Sequence, residues 1–383
     1  MGQRIGRAGL PHAHFRTRFT MMFKCTNCGR TQPLSYTGYR CPTCTGLLGL
    51  NEPPALDPAR VEASAPGIWR YRHTFGLPAE APTITLGEGN TPLIPLELDG
   101  RTVHLKHEGL NPTGAFKDRG MAVVFGWLRH LGIAEAIEDS SGNAGASFAG
   151  YAARAGVKAR VFVPATAAGA KRKQIEAYGA ELVAIDGPRS KAAEAALAAA
   201  DAGAVYASHV FNPLGLLGNA TCAYEIVAQL GRAPEAVILP VGHGTLLLGL
   251  SLGFQALEKA GVIPAAPQLI GVQSMACAPL WAVAKYGRQG LDWVTEGETI
   301  AEGIRVVRPQ RGDAVLAAIT SSGGGLYAID DDRIRSGHVE LARRGLLVEL
   351  TSAAIWPVLA ETPGDVVAIL TGHGLKTVER GGT

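Results

Sequence analysis

From residue 102 onward, short runs of β-branched residues alternate with longer stretches rich in Ala and Leu, and no other feature narrows the fold as much. Strand–helix repetition of this kind builds a parallel sheet covered by helices on both faces, an α/β architecture. Strands are expected over 102–106, 136–139, 159–163, 181–185, 204–208, 236–239, 268–272 and 365–370. Helical patterns fall at 144–155, 170–178, 191–202, 221–230, 246–259 and 352–359. A further apolar run with helical spacing (Met121, Val123, Val124, Phe125, Trp127, Leu128, Leu131) starts just after Lys117. At 383 residues the chain exceeds the roughly 250–300 at which one core stops growing, so two lobes are expected. A net charge of +3 gives too weak a field to imply nucleic acid or an anionic membrane. No stretch is apolar for about 18 residues, so no segment reads as a membrane-spanning helix.

Four of the six cysteines form two C-x2-C turns, Cys25–Cys28 and Cys41–Cys44, separated by twelve residues. Each turn can present two thiolates to one tetrahedral metal, and two facing turns complete a four-thiolate zinc site. Four protein ligands leave no open position for water or substrate, so the zinc is expected to be structural, folding a small ribbon over 25–50. Cys222 and Cys277 lie in apolar surroundings and read as buried free thiols. Residues 1–24 read as a disordered leader: the first 22 carry Arg4, Arg7, Arg16 and Arg18 with no apolar core of a secretory signal, and Met21 or Met22 could equally be the start. Residues 51–68, rich in Pro and Ala, read as a linker.

Three glycine-rich loops and one lysine carry the chemistry. Lys117 closes the extended turn Asn111–Phe116 and opens the apolar helix, where loss of water disfavours its charged form and prepares a free amine to attack a carbonyl. Ser140–Ser147 (SSGNAGAS) follows a strand and precedes a helix, so its backbone N–H groups and the helix dipole suit an anion. Val241–Thr245 (VGHGT) does the same after a later strand and suits a phosphate, with His243 read as an exposed turn residue. Leu370–Lys376 (LTGHGLK) ends the last strand.

In this order, NPTGAFKDRG at 111–120, SSGNAGAS, VGHGT and TGHGLK, with GEGNTPL at 87–93 and ELTSAA at 349–354, resemble the pyridoxal-phosphate (PLP) enzymes of fold type II, and threonine synthases most closely. The N-terminal zinc ribbon is a common attachment in that family. The resemblance implies two parallel-sheet lobes with the active site between them: a large PLP-binding unit from 51–118 and 214–383, and a smaller substrate-gripping unit over 119–213. It implies that Lys117 binds PLP covalently and serves as the catalytic base. Gly242, His243, Gly244 and Thr245 would hold the cofactor phosphate, Asn143 the 3′ oxygen and Thr371 the pyridine nitrogen, while Ser141, Gly142, Asn143 and Ala144 would hold the substrate carboxylate. The implied protein is a cytoplasmic homodimer acting on a small amino-acid substrate, with no nucleic-acid partner and no membrane.

Three positions depart from the family pattern. Ala115 replaces a serine, Ala144 a threonine, and Gly215 the arginine that meets the phosphate of O-phosphohomoserine. Lys171, Arg172 and Lys173 offer other cations but read as a solvated helix start. The resemblance still implies formation of threonine from O-phospho-L-homoserine as the expected reaction. Elimination or replacement at the β carbon of serine, threonine or O-phosphoserine is the rival within enzymes, and a non-catalytic zinc-ribbon binding protein is the rival outside them.

Overall fold

The computed structural model describes residues 21–377 apart from 54 and 168. In chain order the elements are β1 (Phe23–Cys25), β2 (Thr31–Gln32), β3 (Leu48–Leu50), β4 (Leu93–Leu98), β5 (Arg101–Lys106), α1 (Lys117–His130), β6 (Glu135–Glu138), α2 (Asn143–Ala155), β7 (Lys158–Pro164), α3 (Ala170–Ala177), β8 (Glu181–Ile185) and α4 (Arg189–Asp201). They continue with α5 (Leu214–Leu230), β9 (Ala236–Pro240), α6 (Thr245–Lys259), β10 (Gln268–Ser274), α7 (Pro279–Tyr286), α8 (Gly312–Ser321), β11 (Gly325–Ile329), α9 (Asp331–Arg343), α10 (Leu350–Ala353), α11 (Trp356–Glu361) and β12 (Val366–Ile369).

The described residues form two larger sheets. One has the order β11-β10-β9-β12-β5-β4, parallel except for the β4–β5 hairpin, and the other the order β6-β7-β8, all parallel. The central strand β9 (AVILP) is buried at every residue, as expected of a parallel strand covered on both faces. Parallel strands place the loops after β6, β9 and β12 at carboxyl ends, the edge where open α/β sheets bind ligands.

Differences from the sequence expectation have physical causes. Strand β4 pairs with β5 through the two-residue turn Asp99-Gly100, both at positive φ (50° and 77°), the hairpin geometry that Asp-Gly favours. The strand expected over 204–208 shrinks to one bridge, Ile137 to Tyr206, on the free edge of β6. Helix α5 starts seven residues before the expected Thr221, because its glycines let it press against α1: a Cβ at Gly218 would lie 2.0 Å from the Arg119 carbonyl. The leader expected over 1–24 ends sooner, since Phe23 and Lys24 lie in β1 and Phe23 packs edge-on against Trp127; residues 1–20 lie outside the described residues. Nor is 51–68 wholly a linker, for Ile68 is fully buried.

Arg119, fully buried two residues beyond Lys117, fixes the first turn of α1. Its Nε and Nη2 donate to the two carboxylate oxygens of Glu108 (2.7 Å each), and its Nη1 and Nη2 to those of Glu225 (2.8 and 2.7 Å). Lys106 Nζ adds a bond of 2.7 Å to Glu225 and another of 2.7 Å to the Thr91 carbonyl. The group couples β5, α1 and α5 with two positive and two negative charges. Burial alone would raise the Glu225 carboxyl, but Arg119 and Lys106 outweigh it and hold it at about 2.

Substituting Arg119→Ala leaves two buried carboxylates short of their partner and is expected to cost about 3–5 kcal/mol in urea unfolding. In the unsubstituted protein the Glu225 contribution is present in full above about pH 4.5 and is lost as the pH falls through about 2. Urea midpoints that ignore either change would show that the network is not stabilising.

Candidate active site

The lysine loop and the C-terminal string meet as backbone. Ala115 bridges Gly372, Phe116 N–H donates to the Thr371 carbonyl (3.1 Å) and His373 N–H to the Gly114 carbonyl (3.0 Å). This antiparallel clasp puts Thr371 beside the start of α1, although 254 positions separate it from Lys117 in the chain. Thr371 is buried, with its hydroxyl 3.0 Å from that of Ser352. Ala115 is fully buried in the clasp and Ala144 nearly so.

Lys117 lines a small cavity with Gly120, Met121, Val124, His209, Gly215, Asn219 and Thr245. Its side chain keeps access to that cavity, but protein surrounds the amine, and desolvation lowers it to about 7, opposed by Glu138 and aided by Arg189. Asp118, the neighbouring carboxylate, does not pair with it. Instead Asp118 accepts from Thr113 N–H and Oγ1 (2.7 and 2.6 Å) and from Ser147 Oγ (2.6 Å). The lysine therefore keeps a substantial uncharged fraction at neutral pH, able to act as nucleophile or base.

Two glycine-bearing turns deliver helix N-termini, and that of α6 lines the cavity through Thr245. After β6, Gly142 caps α2, and a Cβ at Gly145 would lie 1.8 Å from the Ser140 carbonyl, so only glycine permits this tight turn. Asn143 at the first helical position donates from Nδ2 to Glu349 Oε2 (2.6 Å), while its Oδ1 is buried without a partner. After β9, Gly244 (φ 77°) caps α6 and Thr245 begins it; a Cβ at Gly244 would lie 2.3 Å from Val315 Cγ2. The amides of Gly244 and Thr245 and the Thr245 hydroxyl sit at the positive end of a fifteen-residue helix, a site suited to phosphate. PLP needs an enclosed amine, a phosphate cradle and a partner for its 3′ oxygen. The enclosed Lys117 amine, the glycine-capped α6 and the Asn143 carboxamide, whose Oδ1 has no partner, fit that demand.

Two expectations are corrected here. His243 is not an exposed turn residue: it is enclosed, its Nδ1 is buried without a partner, and desolvation holds it down at about 3. Lys171 is not solvated, for its Nζ lies 2.8 Å from Glu349 Oε1 with the lysine side chain 15% exposed. Arg172 reaches the Ala167 carbonyl (2.7 Å) and so holds its own loop.

Sequence reasoning passed over Lys376, whose Nζ donates to the Thr113 carbonyl (2.6 Å) and which burial lowers to about 8. It also missed Glu349 as the partner of Asn143 and Lys171. Glu138 was a visible anomaly, an acidic residue ending a strand that otherwise reads as buried.

In the ribbon, the thiols of Cys25, Cys28, Cys41 and Cys44 all lie within 4.8 Å of one another. Cys25 and Cys44 are 3.4 Å apart, Cys28 and Cys41 3.7 Å, close to the ~3.8 Å edge of a tetrahedron with Zn–S of about 2.3 Å. The amides of Asn27 and Cys28 point at Cys25 Sγ (3.4 Å each), which favours a thiolate there. The donor set fits zinc. Cys222 and Cys277 are buried thiols, as expected.

Residues 84–372 match the family described as pyridoxal-phosphate dependent enzyme. Threonine synthase of Methanocaldococcus jannaschii is 33% identical over 377 residues, covering 93% of this chain and 93% of that protein. Threonine synthase of Mycobacterium tuberculosis is 36% identical over 337 residues, covering 84% and 91%. Among solved structures, a threonine deaminase from T.th. gives a TM-score of 0.62 at 25% identity, over 76% of this chain and 94% of its own. Maize serine racemase gives 0.64 at 18% identity, over 75% and 89%, a likeness of fold alone.

The buried amine makes a linkage prediction. Its folded value of about 7 lies below the ordinary 10.5, so the folded state binds fewer protons and the lysine destabilises most below pH 7. Lys117→Met is expected to raise the melting temperature of the cofactor-free protein, by most below pH 7 and by a shrinking amount towards pH 10.5. A difference independent of pH would show that the amine is solvated.

Proposed function

This chain belongs to the pyridoxal-phosphate dependent enzyme family, and we propose that it is a threonine synthase, a lyase that converts O-phospho-L-homoserine and water to L-threonine and phosphate. The observation that carries the reading is a desolvated Lys117, with no counter-ion, lining a cavity that Thr245 at the N-terminus of α6 also lines. Residues 51–118 with 214–383 form the cofactor-holding unit and 119–213 the substrate-gripping unit.

In this reading Lys117 holds PLP, the loop Gly242, His243, Gly244 and Thr245 takes its phosphate, Asn143 its 3′ oxygen and Thr371 its ring nitrogen. When bound, PLP supplies the electron sink that makes protons on the substrate's α and β carbons removable. The chain's own groups do the rest. Ser141, Gly142, Asn143 and Ala144 aim the start of α2 at the substrate carboxylate, orienting the α carbon toward the lysine. With a value near 7, Lys117 can accept a proton and return it within one turnover at neutral pH. The Thr371 hydroxyl, already shared with Ser352, makes only a weak contact to the ring nitrogen, which favours chemistry at the β and γ carbons over racemisation.

Gly215 on the cavity wall favours a second reading, β-elimination on serine or threonine, because it presents no cation for a substrate phosphate. Release of phosphate and threonine from O-phospho-L-homoserine supports the first reading. Keto acid and ammonia from serine or threonine, with no phosphate released from O-phospho-L-homoserine, would replace it.

Zinc held by the four ribbon cysteines is structural in this reading, and the enzyme works as a cytoplasmic homodimer. Metal analysis should find one zinc per chain. Cys41→Ser is expected to lower the melting temperature while any folded fraction keeps its turnover per bound cofactor. A folded, zinc-free variant that has lost turnover would give the metal a catalytic part.

A further inference from the structure

One cluster beside Lys117 has no part in holding PLP or the carboxylate. Glu138, the last residue of β6, is fully buried, and its Oε1 lies 2.9 Å from His209 Nδ1. Its other oxygen, Oε2, is buried without a partner. His209 lies in the loop before α5 and lines the same cavity as Lys117, Gly215 and Thr245. With Nδ1 engaged by Glu138, Nε2 is the nitrogen left to meet a group in that cavity. The His243 ring stands edge-on to His209, with centroids 5.8 Å apart.

A cation is also at hand. Arg189 is exposed at the first residue of α4, on the carboxyl edge of β8, the edge that also carries Glu138 and the α2 turn. Its charge acts on Lys117, Glu138, His209 and His243, in keeping with its place on that edge of the sheet. At Gly215 nothing crowds the backbone: a Cβ there would first meet Gly120 Cα at 3.8 Å, ordinary contact. Packing therefore does not force the missing side chain, and Gly215 lines the same cavity as His209.

We infer that Arg189 and His209 bind the phosphate of the substrate in place of an arginine at 215, and that His209, positioned by Glu138, protonates the departing oxygen. This rests on the threonine synthase reading. Lys117 takes the Cβ proton, the Cβ–H electron pair forms the Cβ–Cγ double bond, and the Cγ–O bond breaks with its own pair going to oxygen; the proton from His209 Nε2 passes to that oxygen, hydrogen phosphate leaves, and solvent returns a proton to the Glu138–His209 pair.

Charge balance allows this. Burial, with Asp139 alongside, pushes Glu138 well up against the pull of Lys117 and Arg189, and Asp139 is itself held by Tyr206 Oη (2.6 Å). Burial, with Lys117, His243 and Arg189, pushes His209 well down. A single proton shared by the pair would leave it neutral, either as carboxylic acid with imidazole or as carboxylate with imidazolium. An incoming phosphate favours the second form and puts the proton at the cavity.

The test compares O-phospho-L-homoserine with L-vinylglycine, which already carries the Cβ–Cγ double bond and has no leaving group, on the PLP-loaded enzyme. His209→Asn should lower kcat on the phosphorylated substrate about 10²–10⁴-fold and remove the alkaline limb of its pH profile, leaving turnover of vinylglycine within about threefold. Glu138→Gln should shift that limb. Arg189→Gln should raise KM for the phosphorylated substrate alone by about 10–100-fold. Binding of inorganic phosphate to the loaded enzyme, followed by the cofactor's absorbance, should weaken in the Arg189 and His209 variants. Equal losses on both substrates, or phosphate binding indifferent to both residues, would overturn the inference. Wild-type enzyme that turns over neither substrate, yet binds phosphate through Arg189 and His209, would sink the threonine synthase reading and leave the anion site standing.

Discussion

The pairing of Arg119 with two buried carboxylates is the constraint on which the site depends. Glu108 comes from the turn after β5 and Glu225 from α5, so one guanidinium sets where α1 begins relative to both. Three adjacent charged residues at that start then meet different fates. Lys117 loses its water and gains no counter-ion, Asp118 is consumed by Thr113 and Ser147, and Arg119 is fully neutralised. Only the first is left chemically free. Desolvation without pairing is costly, and the balanced cluster two residues away is what holds the helix in place against that cost.

Around this lysine the fold repeats one device. Parallel strands β6 and β9 end in glycine turns that cannot accept a Cβ, and each turn delivers a helix N-terminus, that of α6 onto the cavity. Backbone dipoles fixed in this way suit anionic groups without adding a side-chain cation. The C-terminal string enters as an extra antiparallel clasp on the lysine loop, which explains why a segment so distant in sequence shares the site.

Much of this was legible in the residues, because glycine at a strand–helix junction and cysteines in paired C-x2-C turns leave a local signature. The α/β alternation and the order of the loops needed nothing beyond the chain. What stayed hidden was decided by tertiary contact. Helix α5 begins early because Gly218 faces α1, where poor helix propensity is outweighed by close approach. The 204–208 run has strand composition but finds only one partner residue, Ile137. His243 and Lys171 read as exposed because polar residues in turns usually are, yet both lie where loops from different parts of the chain converge. Glu138 and His209, 71 positions apart, could be paired only by the sheet that carries one and the loop that carries the other.

What the site can do depends finally on which amine is free. Two depressed lysines face this region: Lys117 at about 7, without a partner, and Lys376 at about 8, tied to the Thr113 carbonyl. Borohydride reduction of the PLP-loaded protein, followed by digestion and mass spectrometry, separates them. A pyridoxyl group on the peptide carrying Lys117, and on no other lysine, is the expected result; a pyridoxyl group on Lys376 or Lys171, or none anywhere, would contradict it.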